Sequence, residues 1–196
     1  MARVGVLALQ GDFREHIAVL SALGVEAVEI RTPEELAGID ALAIPGGEST
    51  TIGRLATIYG LIDPLRERIL SGMPVLGTCA GMIFLAAATV HRQQPQLGVL
   101  DAVVERNAFG RQVDSFEADL AVAGWDEPIH AVFIRAPWME KIGADVEVLA
   151  SVTDPGDGRD HPVFVRQGRI LATSFHPELT GDGRVHEMLL SMIEER

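Results

Sequence analysis

The first half of the chain alternates short apolar runs with stretches in which apolar residues recur at helical spacing. Residues 4–9 and 41–44 contain no polar alternation, which is typical of strands buried on both faces of a parallel sheet. Residues 12–24 have the pattern of an amphipathic helix, with Asp12 at the N-cap position and Gly24 just after the last turn. The chain therefore begins with alternating strands and helices.

This alternation continues to residue 88 and predicts an open, doubly wound, mostly parallel α/β sheet with helices on both faces. Ligands of such sheets bind beyond the carboxyl ends of the strands. We therefore expect the loops at Gln10, Pro45 and Thr78 to lie together there. The further predicted elements are strands at 25–30 and 74–77, helices at 33–36, 64–70 and 79–88, and a helix after the loop at 45–50.

The second half of the chain has a different pattern, with more strands and fewer helices. Two of its strands are joined around Gln167-Gly168 and predict an antiparallel hairpin. The polar turn at 154–160 is too close to the end of the sequence to separate two domains, so residues 1–196 are predicted to form a single domain. The predicted elements are strands at 102–105, 116–122, 131–135, 146–153, 163–166 and 170–174, and a helix at 183–194.

Composition excludes several classes of function. Sixteen Lys and Arg against 28 Asp and Glu give a formal net charge of −12. Nucleic-acid binding depends on clustered basic residues, so no nucleic-acid partner is expected. The longest largely apolar stretch, residues 82–90, is far shorter than the roughly 18 residues of a membrane span, which predicts no membrane association. The single cysteine, Cys79, excludes an intrachain disulfide and favours a reducing, cytoplasmic compartment.

Cys79 lies in Gly77-Thr78-Cys79-Ala80-Gly81, between a predicted strand and a predicted helix. Small residues on both sides permit a tight strand-to-helix turn that exposes one side chain, as in a nucleophile elbow. Free backbone N–H groups in the first turn of the helix can bind a developing oxyanion. A buried, inert cysteine is the alternative, but the flanking glycines favour a reactive one.

A cysteine nucleophile needs a base, and His176 is the best candidate. It follows a predicted buried strand, and Glu178 stands two positions further on, where a carboxylate can orient the imidazole in an extended chain. A plain His-Pro-Glu turn is the alternative interpretation. Of the other histidines, His16 and His186 lie in helical patterns as surface or packing residues, and His91, His130 and His161 lie in loop-like sequence without an identifiable partner.

The loop Pro45-Gly46-Gly47-Glu48-Ser49 follows the strand at 41–44. Its glycines would allow a substrate to approach backbone amides beside Cys79. It lacks the lysine of a Walker phosphate-binding loop. The same segment can also begin a helix, with Ser49 or Thr50 as the N-cap, and this is compatible with substrate binding.

Together these motifs resemble the class I, triad-type glutamine amidotransferases, whose fold is a flavodoxin-like open sheet. Within that superfamily they are similar to the glutaminase subunits of pyridoxal 5′-phosphate synthases. The cysteine and the His-Pro-Glu segment indicate only the superfamily. The segments 106–112 and 133–137 indicate the family within it. The matching segments are residues 7–11, 45–51, 77–83, 106–112, 115–117, 133–137 and 174–179.

The resemblance implies hydrolysis of L-glutamine to glutamate and ammonia. Cys79 would form a γ-glutamyl thioester, His176 would act as general base and then acid, and Glu178 would orient it. Backbone amides near Gly47 and at Ala80 would form the oxyanion hole. Gln10 would couple the site to a partner, and the glutamine site would be lined by Gly47, Glu48, Ser49, Arg106, Ile134 and Arg135.

The charges of the side chains support these roles, because an Arg can form charged hydrogen bonds with the substrate carboxylate and a Glu can form them with its ammonium group. The alternative for Arg106 and Arg135 is an ordinary surface salt bridge. A triad domain takes up most of 196 residues, so ammonia is expected to pass to a separate synthase (lyase) subunit, in a large multi-subunit complex. No metal and no cofactor is expected in this chain.

Two other functions stay open at this point. The first is a glutaminase subunit of another synthase, such as imidazole glycerol phosphate synthase, although the motif that begins at Arg106 argues against it. The second is a non-catalytic redox-sensing or binding protein on the same fold. In that protein Cys79 would be an exposed thiol, and neither His176 nor Glu178 would be required for its chemistry.

Overall fold

The computed structural model describes residues 2–91, 93–106, 108, 115–154 and 158–194. Most of the predicted motif after Arg106, residues 107 and 109–112, lies outside the described residues. The first ten elements are β1 (Arg3–Leu7), α1 (Phe13–Ala22), β2 (Glu26–Ile30), a 3-10 helix (Glu34–Gly38), β3 (Ala41–Ile44), α2 (Ser49–Ile58), α3 (Ile62–Leu70), β4 (Val75–Thr78), α4 (Ala80–Leu85) and β5 (Ala86–Thr89).

The remaining elements are mostly strands, as the pattern of the second half predicts. They are β6 (Leu100–Glu105), β7 (Ser115–Leu120), β8 (Ile129–Ile134), β9 (Trp138–Ile142), β10 (Glu147–Thr153), β11 (Asp160–Gln167), β12 (Ile170–Thr173), a 3-10 helix (Pro177–Leu179) and α5 (Arg184–Glu194). No helix within the described ranges is long and apolar enough to cross a membrane.

A seven-stranded sheet forms the centre of the fold, with the strand order β10-β11-β12-β4-β3-β1-β2. The five strands from β12 to β2 are parallel. Their order is that of a flavodoxin-like doubly wound sheet, so the predicted fold class is confirmed. The predicted hairpin is also present, because β11 and β12 pair antiparallel and extend the sheet towards β10. Gly168 turns between them with φ +56°.

Two hydrophobic cores cover the two faces of this sheet. On β3, Leu42 and Ile44 face one core and Ala41 and Ala43 face the other, as the alternation of a strand requires. Helices α2, α3 and α4 pack in the first core, and α1 and α5 pack in the second. All four residues of β3, β4 and β12 are buried, which explains their lack of polar alternation.

The structure corrects the predicted helix at 79–88. Helix α4 ends at Leu85, and Ala86 begins β5, which pairs parallel with β6. The alanines of 86–88 favour a helix by intrinsic propensity, but pairing with a strand distant in sequence outweighs that preference. The same three-stranded sheet contains β9, which the sequence pattern did not predict. A separate two-stranded sheet joins β7 and β8.

Of the two predicted helix caps, the one at Asp12 is confirmed in position and the one at Ser49 or Thr50 is wrong. Asp12 occupies the N-cap position of α1, but its side chain makes no capping hydrogen bond. Glu48 caps α2 instead of Ser49 or Thr50, because its carboxylate accepts hydrogen bonds from the backbone N–H groups of Thr50 and Thr51. Asp12 and Glu48 both lie at the carboxyl edge of the sheet, where the candidate site lies.

Close packing at the β4–α4 turn requires glycine at two positions. A Cβ added at Gly77 would lie 2.8 Å from the backbone of Gly81, and one added at Gly81 would lie 2.1 Å from the carbonyl oxygen of Ile44. Helix α4 therefore begins in direct contact with the backbone of β3. The position of Cys79 depends on this contact.

We expect Gly81→Ala to lower the free energy of unfolding by about 1–3 kcal/mol, as overpacking typically does. The melting temperature should fall by roughly 2–4 °C for each kcal/mol. Gly38→Ala is the matched control, because its Cβ would meet only the end of the exposed Arg3 side chain, 3.1 Å away. Equal thermal unfolding of the two variants would contradict the proposed contact with β3.

Candidate active site

The loops after β1, β3 and β4 meet at the carboxyl edge of the parallel strands, as the fold predicts. They surround a cavity of about 410 Å³, a size typical of small-molecule sites. Ten of the eleven residues predicted for the site line it, and Glu178 lies behind His176. The ten are Gln10, Gly47, Glu48, Ser49, Cys79, Ala80, Arg106, Ile134, Arg135 and His176.

Cys79 occupies a strained turn between β4 and α4. Its backbone has φ 49° and ψ −103°, a region that non-glycine residues rarely adopt. The Cys79 N–H donates to the carbonyl oxygen of Thr173, 2.7 Å away, and Sγ lies 4.0 Å from the carbonyl oxygen of Ile134. Ala80 is the first residue of α4, where a backbone N–H precedes the intrahelical hydrogen bonds and is available to a ligand.

His176 connects this cysteine to a buried carboxylate. Its Nδ1 lies 2.7 Å from Oε1 of Glu178 and 3.6 Å from Oδ2 of Asp12, which leaves Nε2 for the side chain of Cys79. Burial disfavours the imidazolium, but the hydrogen bonds to Cys79 and Glu178 outweigh it and raise the pKa of His176 to about 10. The contacts with Cys79 and Glu178 therefore stabilise the protonated imidazole.

Glu48 and Arg106 form an ion pair on another wall of the cavity. Arg106 donates to Oε1 of Glu48 at 2.9 Å and also to Thr50 Oγ1 and Gln94 Oε1. Partial burial acts against the Glu48 carboxylate, but hydrogen bonds from Thr51 and Thr50 outweigh it and lower the pKa of Glu48 to about 2. This carboxylate stays ionised throughout the physiological pH range.

Gln10 holds the glycine loop in place. Its Oε1 accepts a hydrogen bond of 2.6 Å from the backbone N–H of Glu48. It also lies against Gly47, where an added Cβ would come within 2.5 Å of the same oxygen. Gly47 has φ +146°, which a side chain would not tolerate. The orientation of this loop therefore depends on the Gln10 side chain.

Ile134 and Arg135 form the rim of the cavity at the end of β8. Both are exposed, and Arg135 has φ 43°, again in a region that non-glycine residues rarely adopt. An unusual backbone turn thus places Arg135 at the cavity. A strained non-glycine residue at a cavity rim is a common feature of ligand sites.

Several residues of the site were missed by sequence reasoning. Asp12, Ile83 and Pro137 also line the cavity, and Gln94 accepts hydrogen bonds from Ser49 and Arg106. Asp12 could have been found from its place in the loop after β1, two residues after Gln10. Gln94 lies in an irregular segment without periodicity, so the sequence carries no local signal for it.

Two histidines assigned to the surface or to helix packing are fully buried. His16 Nδ1 lies 2.9 Å from His186 Nε2, and His16 Nε2 lies 3.1 Å from Thr78 Oγ1 and 3.4 Å from Glu178 Oε2. Only the packing alternative was therefore correct. The signal in the sequence was a lone histidine on the apolar face of α1, one turn before Leu20.

Two histidines predicted to lie in loops without partners are in strands and have partners. His130 on β8 contacts Asp119 and Glu117 at 2.9 and 3.0 Å. His161 on β11 stacks on the ring of Trp138 with the ring centroids 3.6 Å apart. Strand β7 pairs with β8 and strand β9 packs against β11 only in the tertiary structure, so spacing along the chain could not reveal these partners.

One cluster of metal-ligating atoms was found among the described residues. It consists of Asp12, His176 and Glu178, with one ligand atom of each within 4.8 Å of the others. His176 Nδ1 and Glu178 Oε1 already bond each other, so an ion there would have to break that contact. The arrangement is better suited to proton transfer than to metal binding.

Known proteins are similar to this chain in sequence over nearly its whole length. The chain is 57% identical to pyridoxal 5′-phosphate synthase subunit PdxT of Mycobacteroides abscessus, over 97% of this chain and 96% of the relative. It is 58% identical to the protein of the same name from a Parafrankia species, over 97% of this chain and 93% of the relative.

Solved structures are similar to this chain in fold. A crystal structure described as glutamine amidotransferase matches with a TM-score of 0.91 and 56% identity, over 97% of this chain and 98% of the other. PurLQS from Thermotoga maritima, at 17% identity and a TM-score of 0.71 over 97% and 98% of the two chains, shares the fold. The sequence profile of the SNO glutamine amidotransferase family matches residues 6–195. The chain therefore belongs to the SNO glutamine amidotransferase family.

Proposed function

We propose that this chain is the glutaminase subunit of a pyridoxal 5′-phosphate synthase, and that it hydrolyses L-glutamine through Cys79, His176 and Glu178. The observation that carries the proposal is the contact of His176 with both Cys79 and Glu178 at a cavity of suitable size. Nucleophile, base and orienting carboxylate are the three parts that cysteine-dependent acyl transfer needs.

In the first step His176 takes the proton of Cys79 as general base. The thiolate attacks the γ-carbonyl carbon of glutamine, and His176 donates its proton to the amide nitrogen, so the C–N bond breaks and ammonia leaves. The γ-glutamyl thioester remains on Cys79. Neutral His176 then takes a proton from water, the hydroxide attacks the thioester carbon, and the C–S bond breaks to release glutamate.

The negative charge on the substrate oxygen requires hydrogen-bond donors. We assign this role to the N–H of Ala80 and to a backbone amide near Gly47. Ala80 is held rigidly by α4, whereas the Gly47 loop is held through the Gln10 side chain. A partner that moves Gln10 would therefore reorient the loop and switch the oxyanion hole on or off.

The polar ends of glutamine would bind on the wall formed by Glu48 and Arg106 and at the rim formed by Arg135. Arg135 suits the α-carboxylate because it is exposed at the cavity. Glu48 suits the α-ammonium because it stays ionised, although it already accepts hydrogen bonds from Thr51 and Arg106. Ile134 would contact the apolar part of the substrate.

The ammonia acceptor would be a separate synthase subunit in a multi-subunit complex. This proposal is supported by the relatives, which are named as synthase subunits and of whose length this chain covers 96% and 93%. We also place the complex in the cytoplasm.

Cys79→Ala should lose glutamine-dependent synthesis of pyridoxal phosphate and keep synthesis from ammonium salts, because only ammonia production requires the thiol. The assay uses this chain together with its synthase subunit, and the wild-type protein is the control for both nitrogen sources. Loss of both activities would mean that Cys79 serves the structure of the complex.

His176→Asn should prevent formation of the γ-glutamyl thioester, because asparagine holds no proton for the leaving ammonia. Acylation of Cys79 is followed by mass spectrometry after rapid acid quenching of the complex with glutamine. His91→Asn is the control, since His91 lies outside the cavity. Unchanged acylation in His176→Asn would remove the assignment of His176 as the base.

The isolated chain should hydrolyse glutamine slowly and be stimulated by the synthase subunit. Gln10→Leu should reduce the stimulated rate by about 10²–10³, the cost of losing one oxyanion donor, because it removes the acceptor for the Glu48 N–H. Glutamate release is measured with and without the partner. Full stimulation of Gln10→Leu would show that Gln10 does not control the loop.

A further inference from the structure

Two buried histidines, His16 and His186, lie directly behind the proposed triad. His16 belongs to α1 and His186 to α5, the two helices that cover the same face of the sheet. Both residues have no exposed surface. Burial of two polar rings is costly unless they are hydrogen-bonded, and the proposed reaction makes no direct use of either one. Their arrangement therefore needs an explanation.

The two oxygens of Glu178 have different surroundings. Oε1 is bonded to His176, whereas Oε2 is buried and has no well-formed hydrogen bond within the described part of the chain. The ring of His16 faces this second oxygen, with Nε2 3.4 Å away. A small rotation of the carboxylate or the ring would complete a hydrogen bond.

The donors and acceptors around the two imidazole rings favour one tautomer of His16. With the proton on Nε2, His16 can donate towards Glu178 Oε2 and Thr78 Oγ1, and its Nδ1 accepts from His186 Nε2–H. His186 Nδ1, which has no described partner, is then a bare acceptor. The opposite tautomer would point a lone pair at the Glu178 carboxylate and bury an unpaired N–H on His186, which is the more expensive arrangement.

Both histidines are neutral at physiological pH. Burial lowers the pKa of His16 well below its usual value, and the charges of His186 and His176 act in the same direction. Burial lowers the pKa of His186 to about 4. The groups that face His16 are Glu178 and His176 from the segment after β12, Thr78 from β4 and His186 from α5. His16 thus offers a directed N–H and no net charge.

We propose that His16 is a positioning residue, which holds Glu178 against His176, and that His186 fixes the tautomer of His16 that does so. The inference rests on the proposed function, since it concerns the same triad. A neutral donor orients the carboxylate without competing with His176 for its negative charge. The contact with Thr78 also connects this support to the residue immediately before the nucleophile.

The decisive comparison is between His16→Leu and His16→Gln, each assayed in the complex with the synthase subunit. Leucine removes the donor, whereas the glutamine amide nitrogen can occupy the place of Nε2. We expect His16→Leu to lower kcat by about 10- to 100-fold, the range found for outer-shell partners of metal-ligating histidines, with KM for glutamine little changed. His16→Gln should recover most of this loss.

The pH profile separates positioning from simple packing. A loosened Glu178 stabilises the His176 imidazolium less, so the pKa of His176 falls and the alkaline limb of kcat/KM should move to lower pH in His16→Leu. Leu20→Ala is the matched control, because Leu20 lies one turn further on the same buried face of α1. It should lower the melting temperature and leave the alkaline limb in place.

His186→Leu provides a second variant if His16→Leu does not fold, and it should move the alkaline limb in the same direction by a smaller amount. Wild-type kcat and an unmoved limb in the folded variants would overturn the inference. Equal limb shifts in His16→Leu and Leu20→Ala would also overturn it. Absence of glutamine hydrolysis in the wild-type complex would instead contradict the proposed function.

Discussion

The buried hydrogen bond between His176 and Glu178, 2.7 Å long, is the interaction on which the geometry of the site depends. A buried ion pair is stable only where the geometry is good and the remaining polar atoms have partners. The fold meets this condition on both sides. Gly46 leaves space for the imidazole, since a Cβ there would lie 2.3 Å from its Cε1, and His16 faces the second oxygen of the carboxylate.

The nucleophile and the oxyanion loop are held in different ways. Cys79 keeps its strained backbone because β4 lies inside the sheet and α4 packs on the backbone of β3, so that surrounding structure maintains the strain. The Gly47 loop is held by one side-chain contact from Gln10. A partner can therefore act on the loop without disturbing the cysteine, which is a physical basis for activity that depends on the synthase subunit.

Sequence reasoning predicted the fold class and the family, and both are confirmed. Strands such as β3 and β4 were predictable because burial on both faces leaves a continuous apolar run. Ten of the predicted site residues line one cavity, although their individual roles stay predictions. The errors have two causes. Contacts between groups far apart in sequence decide strand β5 and the partners of His130 and His161. Competition between neighbouring side chains decides that Glu48 caps α2.

The sequence by itself determined the order of the elements up to β4, the turn around Cys79 and the presence of a histidine and a carboxylate two residues apart, because local spacing and residue size control these features. Only the tertiary structure decided which groups meet. The pairing of Glu48 with Arg106, the approach of Asp12 to His176 and the contact of His16 with Glu178 join separate loops and helices. Such contacts arise when the sheet aligns the carboxyl ends of its strands, and no periodicity along the chain encodes them.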